Sequence, residues 1–93
     1  RKRLMTIAVI GGGPTGVELA GAVAELSRHT LARDFRRIDP VSTRILLVEA
    51  GGRILPGFSE VSSNYAAMRL RALGVEVHCG IAVEDIGPAA IQV

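Results

Sequence analysis

Seven stretches of this chain carry a readable pattern of apolar and polar positions. Met5 to Ile10 is a continuous apolar run behind the basic lead-in Arg1-Lys2-Arg3, which reads as solvated. An unbroken run of this kind predicts a strand buried on both faces. From Pro14 the pattern changes to helical spacing, with Val17, Ala20, Ala24 and Leu31 on one side. Pro14 suits the first helical position, where its missing N–H costs nothing. The helix is expected to continue to the Arg33–Arg36 region and to stop before Asp39-Pro40, because a residue preceding proline disfavours the helical region. Glu25 with His29, and Asp34 with Arg37, are spaced to support it by charge pairing, about 0.2–0.5 kcal/mol each.

A second apolar run, Arg44 to Val48, predicts a strand that ends in Glu49, followed by a loop from Ala50 to Pro56. A second helix is predicted from Ser59 or Glu60 to Leu73, with Ser59 as its N-cap and Gly74 as its C-terminal stop. Val75 to Cys79 alternates apolar and polar residues, as a half-exposed or edge strand does. Ile81 to Ile86 and Ile91 to Val93, joined through Gly87-Pro88-Ala89-Ala90, read as an antiparallel hairpin. The order is βαβαβ followed by β-turn-β. Right-handed crossovers then place the first three strands in one parallel sheet. The fold class expected is α/β: a three-layer, Rossmann-like βαβαβ sheet with a C-terminal β-hairpin or meander.

The junction between the first strand and first helix carries the chemistry. Gly11-Gly12-Gly13-Pro14-Thr15-Gly16 has the Gly-x-Gly-x-x-Gly spacing, placed between an apolar strand and a helix, where a dinucleotide-binding fingerprint belongs. Gly11 permits the tight turn, Gly13 lets a pyrophosphate approach the backbone, and Gly16 lets the helix pack closely on the sheet. The helix end presents unpaired N–H groups and the positive end of its dipole to phosphates. The spacing alone is a weak signal. The preceding strand, the small-residue helix face (Gly16, Ala20, Val23, with Val17 and Ala24) and the acid at the end of the second strand strengthen it.

Glu49 stands where an acid can accept both hydroxyl hydrogens of an adenine ribose, and its charge repels the 2′-phosphate of NADP. The residue therefore favours NAD(H). The acid usually follows the glycines by about 20 residues, and here the gap is longer. A long first helix and a surface loop account for the excess. The bland alternative is a solvated residue leaving a strand.

Composition narrows the field. The chain has 93 residues, 48% of them hydrophobic, which bounds it to one packed domain. Aromatics are 3% and tryptophan is absent, against a stacking platform for single-stranded nucleic acid. A formal charge of +2 with scattered basic residues gives no nucleic-acid surface. No apolar run approaches a membrane span, and no signal peptide is visible. The single cysteine, Cys79, excludes an internal disulfide and is expected to be a small buried hydrophobe. His29 and His78 lack ligand spacing, so no metal site is expected.

The block Gly11-Gly12-Gly13-Pro14-Thr15-Gly16-Val17-Glu18-Leu19-Ala20-Gly21 resembles the NADH-binding domain of type II NADH dehydrogenases. These are flavoproteins of the pyridine nucleotide-disulfide oxidoreductase superfamily. Leu31-Ala32-Arg33-Asp34-Phe35 and Val48-Glu49-Ala50-Gly51-Gly52-Arg53-Ile54-Leu55-Pro56 share the resemblance, which covers nearly the whole chain. It implies that residues 1–93 are one NADH-binding domain, a fragment of a larger FAD-containing protein that passes hydride from NADH to FAD and then reduces quinone. The parent would be cytoplasmic, lying peripherally on the inner face of the cell membrane through parts absent here. The fragment alone is expected to be inactive and to hold no catalytic residue. Its expected partners are NAD(H) and the FAD domain of its own parent.

The cofactor-binding residues expected are Gly11, Gly12, Gly13, Pro14, Thr15, Gly16, Glu18, Glu49, Ala50 and Arg53. Glu18 lies where the family has a glutamate near the nicotinamide and flavin. Its plain alternative is an acid stabilised by the helix dipole, by about 0.3–1 kcal/mol. Arg53 follows Glu49 on the ligand-side loop, where it contacts the adenosine, neutralises Glu49 or faces solvent. An arginine there is also the device that accepts NADP. Other readings are the NADH domain of a disulfide- or ferredoxin-reductase-like flavoenzyme, a non-catalytic NAD(H)-sensing module, an FAD-binding domain and a scaffold without a ligand.

Overall fold

The computed structural model describes residues 3–33, 41–81 and 90–92. Its elements are β1 (Arg3–Ile10), α1 (Pro14–Arg33), β2 (Val41–Glu49), α2 (Glu60–Ala72), β3 (Val75–Cys79) and β4 (Ala90–Gln92). The strands form one parallel sheet in the order β3-β2-β1-β4. The βαβαβ order and parallel pairing expected from the sequence are therefore present.

β1 and β2 begin earlier than their apolar runs. They pair without interruption from Arg3 opposite Val41 to Ile10 opposite Val48. A parallel ladder bonds backbone groups whatever the side chains, so the strand begins at Arg3. Arg1, Lys2 and the expected stop at Asp39-Pro40 lie outside the described residues.

Both crossovers run the same way along the sheet, so α1 and α2 cover one face and touch each other. A methyl group at Gly21 of α1 would meet Leu70 of α2 at 3.7 Å, ordinary contact. The core under them is built from Val9, Ile45, Leu47 and Val75 of the sheet. Ala20 and Ala24 of α1, Leu70 of α2 and Ile54 of the loop before α2 close it. The small face of α1 explains this closeness, and Gly16 is buried with it. The opposite sheet face carries Ala8, Ile10 and Leu46, each half-buried. Two of the expected three layers thus lie within the described residues.

The ends of α2 follow the sequence signals. Ser59 is the N-cap, its Oγ accepting the Ser62 N–H at 3.1 Å. Gly74 takes φ +94 just past the last turn, a conformation glycine adopts without penalty. The C-terminal end adds a fourth strand to the sheet. Residues 82–89, which hold most of the first arm and most of the turn of the expected hairpin, lie outside the described residues. Ala90–Gln92 pairs with β1 in parallel, Ala8 opposite Ala90 and Ile10 opposite Gln92. β1 has an open edge on the side away from β2, and a short extended segment satisfies its backbone groups there.

Candidate dinucleotide site

The site forms at the carboxyl ends of β1 and β2, the edge at which ligands meet open α/β sheets. Gly11 continues the β1–β2 ladder by one bond, its N–H donating to the Val48 carbonyl at 2.8 Å. It then turns the chain with φ +117. α1 begins at Pro14, and Val17 N–H donates to the Gly13 carbonyl at 2.9 Å. The N–H groups of Thr15 and Gly16 precede that bond and have no intrahelical acceptor. Pro14, Thr15 and Glu18 are exposed at this end of the helix.

Glu49 ties the glycine turn to the end of β2. Its Oε1 accepts the Gly12 N–H at 2.7 Å, and its Oε2 accepts the Gly51 N–H at 2.8 Å. Each oxygen keeps a second lone pair. The carboxylate therefore sits against the fingerprint turn, and the long sequence gap between them is closed in space.

Gly12 occupies a position that the spacing rule leaves free. A methyl group there would lie 3.0 Å from Glu49 Cβ, Glu49 Oε1 and Ile54 Cγ2, tighter than nine in ten real contacts, so those side chains would have to give way. Its carbonyl accepts the Leu55 N–H. Gly13 is the reverse case. No heavy atom lies within 4 Å of a methyl group built there, so the backbone is open to a ligand. An open Gly13, two free helix-end N–H groups and a carboxylate beside them fit a dinucleotide.

The loop after β2 is ordered by its own side chains. Ile54 is 1% exposed and joins the core. Leu55 holds φ +51, a left-handed conformation costly for a residue with a side chain. Its carbonyl accepts from Phe58 N–H at 2.9 Å and from Ser63 Oγ at 3.1 Å. Ser63 is itself buried, so its hydroxyl is satisfied by that bond. Arg53 donates to the carbonyls of Phe58 at 2.8 Å and Pro56 at 3.5 Å. The guanidinium thus braces its own loop and makes no ion pair with Glu49. An open pocket of about 460 Å³ lies beside it, lined by Gly52, Arg53, Pro56, Glu60 and Asn64. Ala50 is exposed at the start of this loop. The loop after β3 is stapled to the same edge, with Gly80 N–H donating to the carbonyls of Glu49 at 2.9 Å and Gly51 at 2.7 Å.

Ile54, Leu55 and Ser63 have no motif that announces them. The one available signal is the apolar pair Ile54-Leu55 inside a glycine-rich loop. Cys79 is half-buried and packs partly against the core. No cluster of three metal-ligating side chains occurs among the described residues. On the helix-free face Arg44 grips Glu76 with Nε to Oε2 at 2.8 Å and Nη2 to Oε1 at 2.7 Å, and His78 stands 3.3 Å from Oε1. The Arg44 hydrogen bond first, and His78 next, lower the Glu76 carboxyl to about 2.

A family model described as pyridine nucleotide-disulphide oxidoreductase matches residues 1–92. The chain belongs to this family. Within the pyridine nucleotide-disulphide oxidoreductases it is similar to the type II NADH:quinone oxidoreductase Ndh of Mycobacterium tuberculosis, 44% identical over 93 residues. That match covers 100% of this chain and 20% of the relative. The NdhA protein of the same organism is 38% identical over the same shares. The chain thus spans about a fifth of the length of the curated relatives it matches. Among solved structures, NDH2 of Plasmodium falciparum in complex with NADH superposes with a TM-score of 0.75 at 27% identity. It covers 88% of this chain and 16% of that one. A ferredoxin reductase from Rhodopseudomonas palustris, 20% identical with a TM-score of 0.66 over 91% of this chain and 17% of its own, shares the fold. No described helix is long and apolar enough to cross a membrane.

Proposed function

We propose that this chain is the NADH-binding domain of a longer FAD-containing enzyme, a type II NADH dehydrogenase that reduces quinone. The observation that carries the reading is Glu49, held at 2.7 Å from the Gly12 N–H beside the open Gly13 backbone. The whole-chain similarity to named NADH:quinone oxidoreductases supports the same reading.

In this proposal the Gly11–Gly16 turn and the free N–H groups of Thr15 and Gly16 hold the pyrophosphate. The remaining lone pairs of Glu49 accept the adenosine ribose hydroxyls, beside Ala50, and its charge keeps a 2′-phosphate out. Glu18 orients the nicotinamide carboxamide from the exposed side of α1. Arg53 keeps the Ala50–Ser59 loop in place, and so positions Glu49 indirectly. When bound, NADH and the FAD of the remaining parent together supply the hydride and electron transfer. In a cell the parent lies peripherally on the inner face of the membrane.

The test is an NADH titration of the full-length protein, followed by nucleotide fluorescence, with NADPH and FAD in parallel. NADH should bind more tightly than NADPH. Glu49→Gln should weaken NADH by about tenfold to a hundredfold, the loss expected of charge-assisted hydrogen bonds. Binding of NADPH as tight as NADH, or indifference to Glu49→Gln, overturns the ribose assignment. If FAD binds this domain in place of NADH, the chain is the flavin half. For Glu18, unchanged NADH affinity and unchanged flavin reduction in Glu18→Gln would remove it from the site.

A further inference from the structure

One of the two backbone donors that hold the Glu49 carboxylate has a support of its own. Gly51 N–H reaches Oε2 at 2.8 Å. That N–H belongs to the peptide between Ala50 and Gly51. The peptide before it carries the Glu49 carbonyl, and the peptide after it carries the Gly51 carbonyl. Both of these carbonyls accept from a single donor, the Gly80 N–H, at 2.9 and 2.7 Å. Gly80 therefore pins the two peptides on either side of the one that faces Oε2. The loop has little stiffness of its own at this point. Gly51 has the wide conformational freedom of a residue without Cβ. A methyl group that would restrict it would crowd Oε2 at 3.1 Å.

Gly80 contributes its N–H and its backbone conformation. It is exposed, and no heavy atom lies within 4 Å of a methyl group built on it, so packing does not select glycine there. Position does. Cys79 stands opposite Glu49 at the last rung of the β2–β3 ladder. The next N–H falls on the Glu49 carbonyl and continues the parallel pattern by one bond. The bond to Gly51 is additional, and at 2.7 Å it is the shorter of the two. The strand stops there, with Gly80 at φ +73, a left-handed conformation that residues with a side chain adopt at a cost.

We propose that Gly80 is a positioning residue for nucleotide choice. Its N–H holds the Glu49 and Gly51 carbonyls, which aims the Gly51 N–H at Oε2 and keeps the carboxylate in one orientation. This inference rests on the reading of Glu49 as the acceptor of the adenosine ribose hydroxyls. Two neighbouring hydroxyls need both oxygens at fixed places, and a charge that cannot turn aside repels a 2′-phosphate most. Without the Gly80 N–H, Oε1 keeps its bond to Gly12 while the donor to Oε2 is released. NADH then loses more affinity than NADPH.

Titrations of the full-length protein with NADH and NADPH in parallel test it on Gly80→Pro, Gly80→Ala and Gly80→Asn, each alone and combined with Glu49→Ala. Proline removes the N–H and excludes the left-handed conformation. It should weaken NADH by about tenfold, as expected of a lost hydrogen bond, and NADPH by much less. Alanine keeps the N–H but strains the turn, so NADH should weaken by about threefold. Asparagine tolerates the left-handed conformation and should stay within about twofold of the parent. In the Glu49→Ala background Gly80→Pro should add less than about twofold, because the carboxylate through which Gly80 acts is gone. A Gly80→Pro loss of equal size in both backgrounds, or equal for NADH and NADPH, makes Gly80 a fold residue only and overturns the proposal. Unchanged NADH affinity in Gly80→Pro overturns it as well. Both results leave the ribose reading standing as long as Glu49→Ala itself weakens NADH. If Glu49→Ala leaves NADH unchanged, the ribose reading falls and this inference falls with it. Should Gly80→Pro not fold, alanine and asparagine carry the comparison. A loss in Gly80→Ala that Gly80→Asn restores, and that needs Glu49, supports the proposal, and equal affinities in the two variants overturn it.

Discussion

The two strand-to-helix junctions at the ligand edge are built by opposite means. The first, between β1 and α1, is three residues long and consists of glycine. It makes few bonds, and at Gly13 it leaves space. The second, between β2 and α2, is ten residues long. It is held by a buried Ile54, a left-handed Leu55, the Ser63 hydroxyl and the Arg53 guanidinium. They meet at Gly12, whose N–H goes to Glu49 and whose carbonyl takes the Leu55 N–H. The short junction is open at Gly13, and the long one supports it. A turn with no side chains cannot position itself, so its geometry is borrowed from a neighbour that can.

This division makes its largest prediction at Ile54. Truncation to alanine should destabilise the fold by about 2–5 kcal/mol, the range for a fully buried aliphatic side chain. It should also loosen the Gly12 turn and weaken NADH. Urea unfolding and an NADH titration on the same preparation check both. An unchanged NADH affinity at temperatures where the variant is folded would break the claim that the long junction shapes the short one.

Next come two glycine substitutions that should behave differently. Gly12→Ala places a methyl group 3.0 Å from Glu49 and Ile54. It should cost about 1–3 kcal/mol of stability by overpacking. Gly13→Ala meets nothing in the free protein. Its stability should stay within about 1 kcal/mol of the parent, on the destabilising side if it changes, because Gly13 is the N-cap of α1 and alanine caps less well than glycine. Its NADH affinity should still fall, because the methyl group fills the approach to the pyrophosphate. Denaturation midpoints and nucleotide titration separate the two. Equal losses of stability would remove the contrast.

The fold was legible where apolar runs and punctuation agree. Ile7-Ala8-Val9-Ile10 and Ile45-Leu46-Leu47-Val48 specify neighbouring strands, although the face away from the helices is half-buried at Ala8, Ile10 and Leu46 and not buried as an unbroken apolar run predicts, and Ser59 and Gly74 mark the two ends of α2. The glycine spacing marked the turn between β1 and α1, and the acid at the end of the second strand is the residue that accepts its Gly12 N–H. Gly12 was not legible as a constrained position, because its constraint comes from Glu49 and Ile54, which are distant in sequence. Arg53 illustrates the same limit. Its place after Glu49 in the chain left contact with the adenosine, neutralisation of Glu49 and solvent all open, and nothing in the sequence announced its bonds to the Phe58 and Pro56 carbonyls. The early starts of β1 and β2 and the parallel pairing of β4 follow from backbone bonding, which side-chain patterns do not encode.

A smaller effect tests where the long junction ends. Ser59 caps α2 through the Ser62 N–H at 3.1 Å, while the same helix is anchored one turn further in by Ser63 to Leu55. Ser59→Ala should cost about 1 kcal/mol. It should leave NADH affinity unchanged, because the cap serves the helix and Ser63 serves the loop. A thermal melt and a titration decide it. Weakened NADH in Ser59→Ala would extend the supporting network to the cap.

The smallest effect lies outside both junctions and serves as their control. Glu76 is lowered to about 2 by the Arg44 hydrogen bond and then by His78, from an ordinary value of 4.5. A carboxylate with a depressed folded-state value contributes stability that is fully present above its unfolded value. That contribution is lost as pH falls from there through about 2. The pair is exposed, so the contribution is small. Melting temperature should therefore fall between these two pH limits, and Glu76→Gln should flatten part of that fall while lowering stability at neutral pH slightly. NADH affinity at neutral pH should be untouched, since the Arg44–Glu76 pair sits on the helix-free face. A Glu76→Gln variant that weakened NADH would mean that β3 transmits strain through Gly80 to Glu49 and Gly51, whose carbonyls its N–H holds at 2.9 and 2.7 Å. The support of the glycine turn would then extend across the sheet and would no longer be the property of one loop.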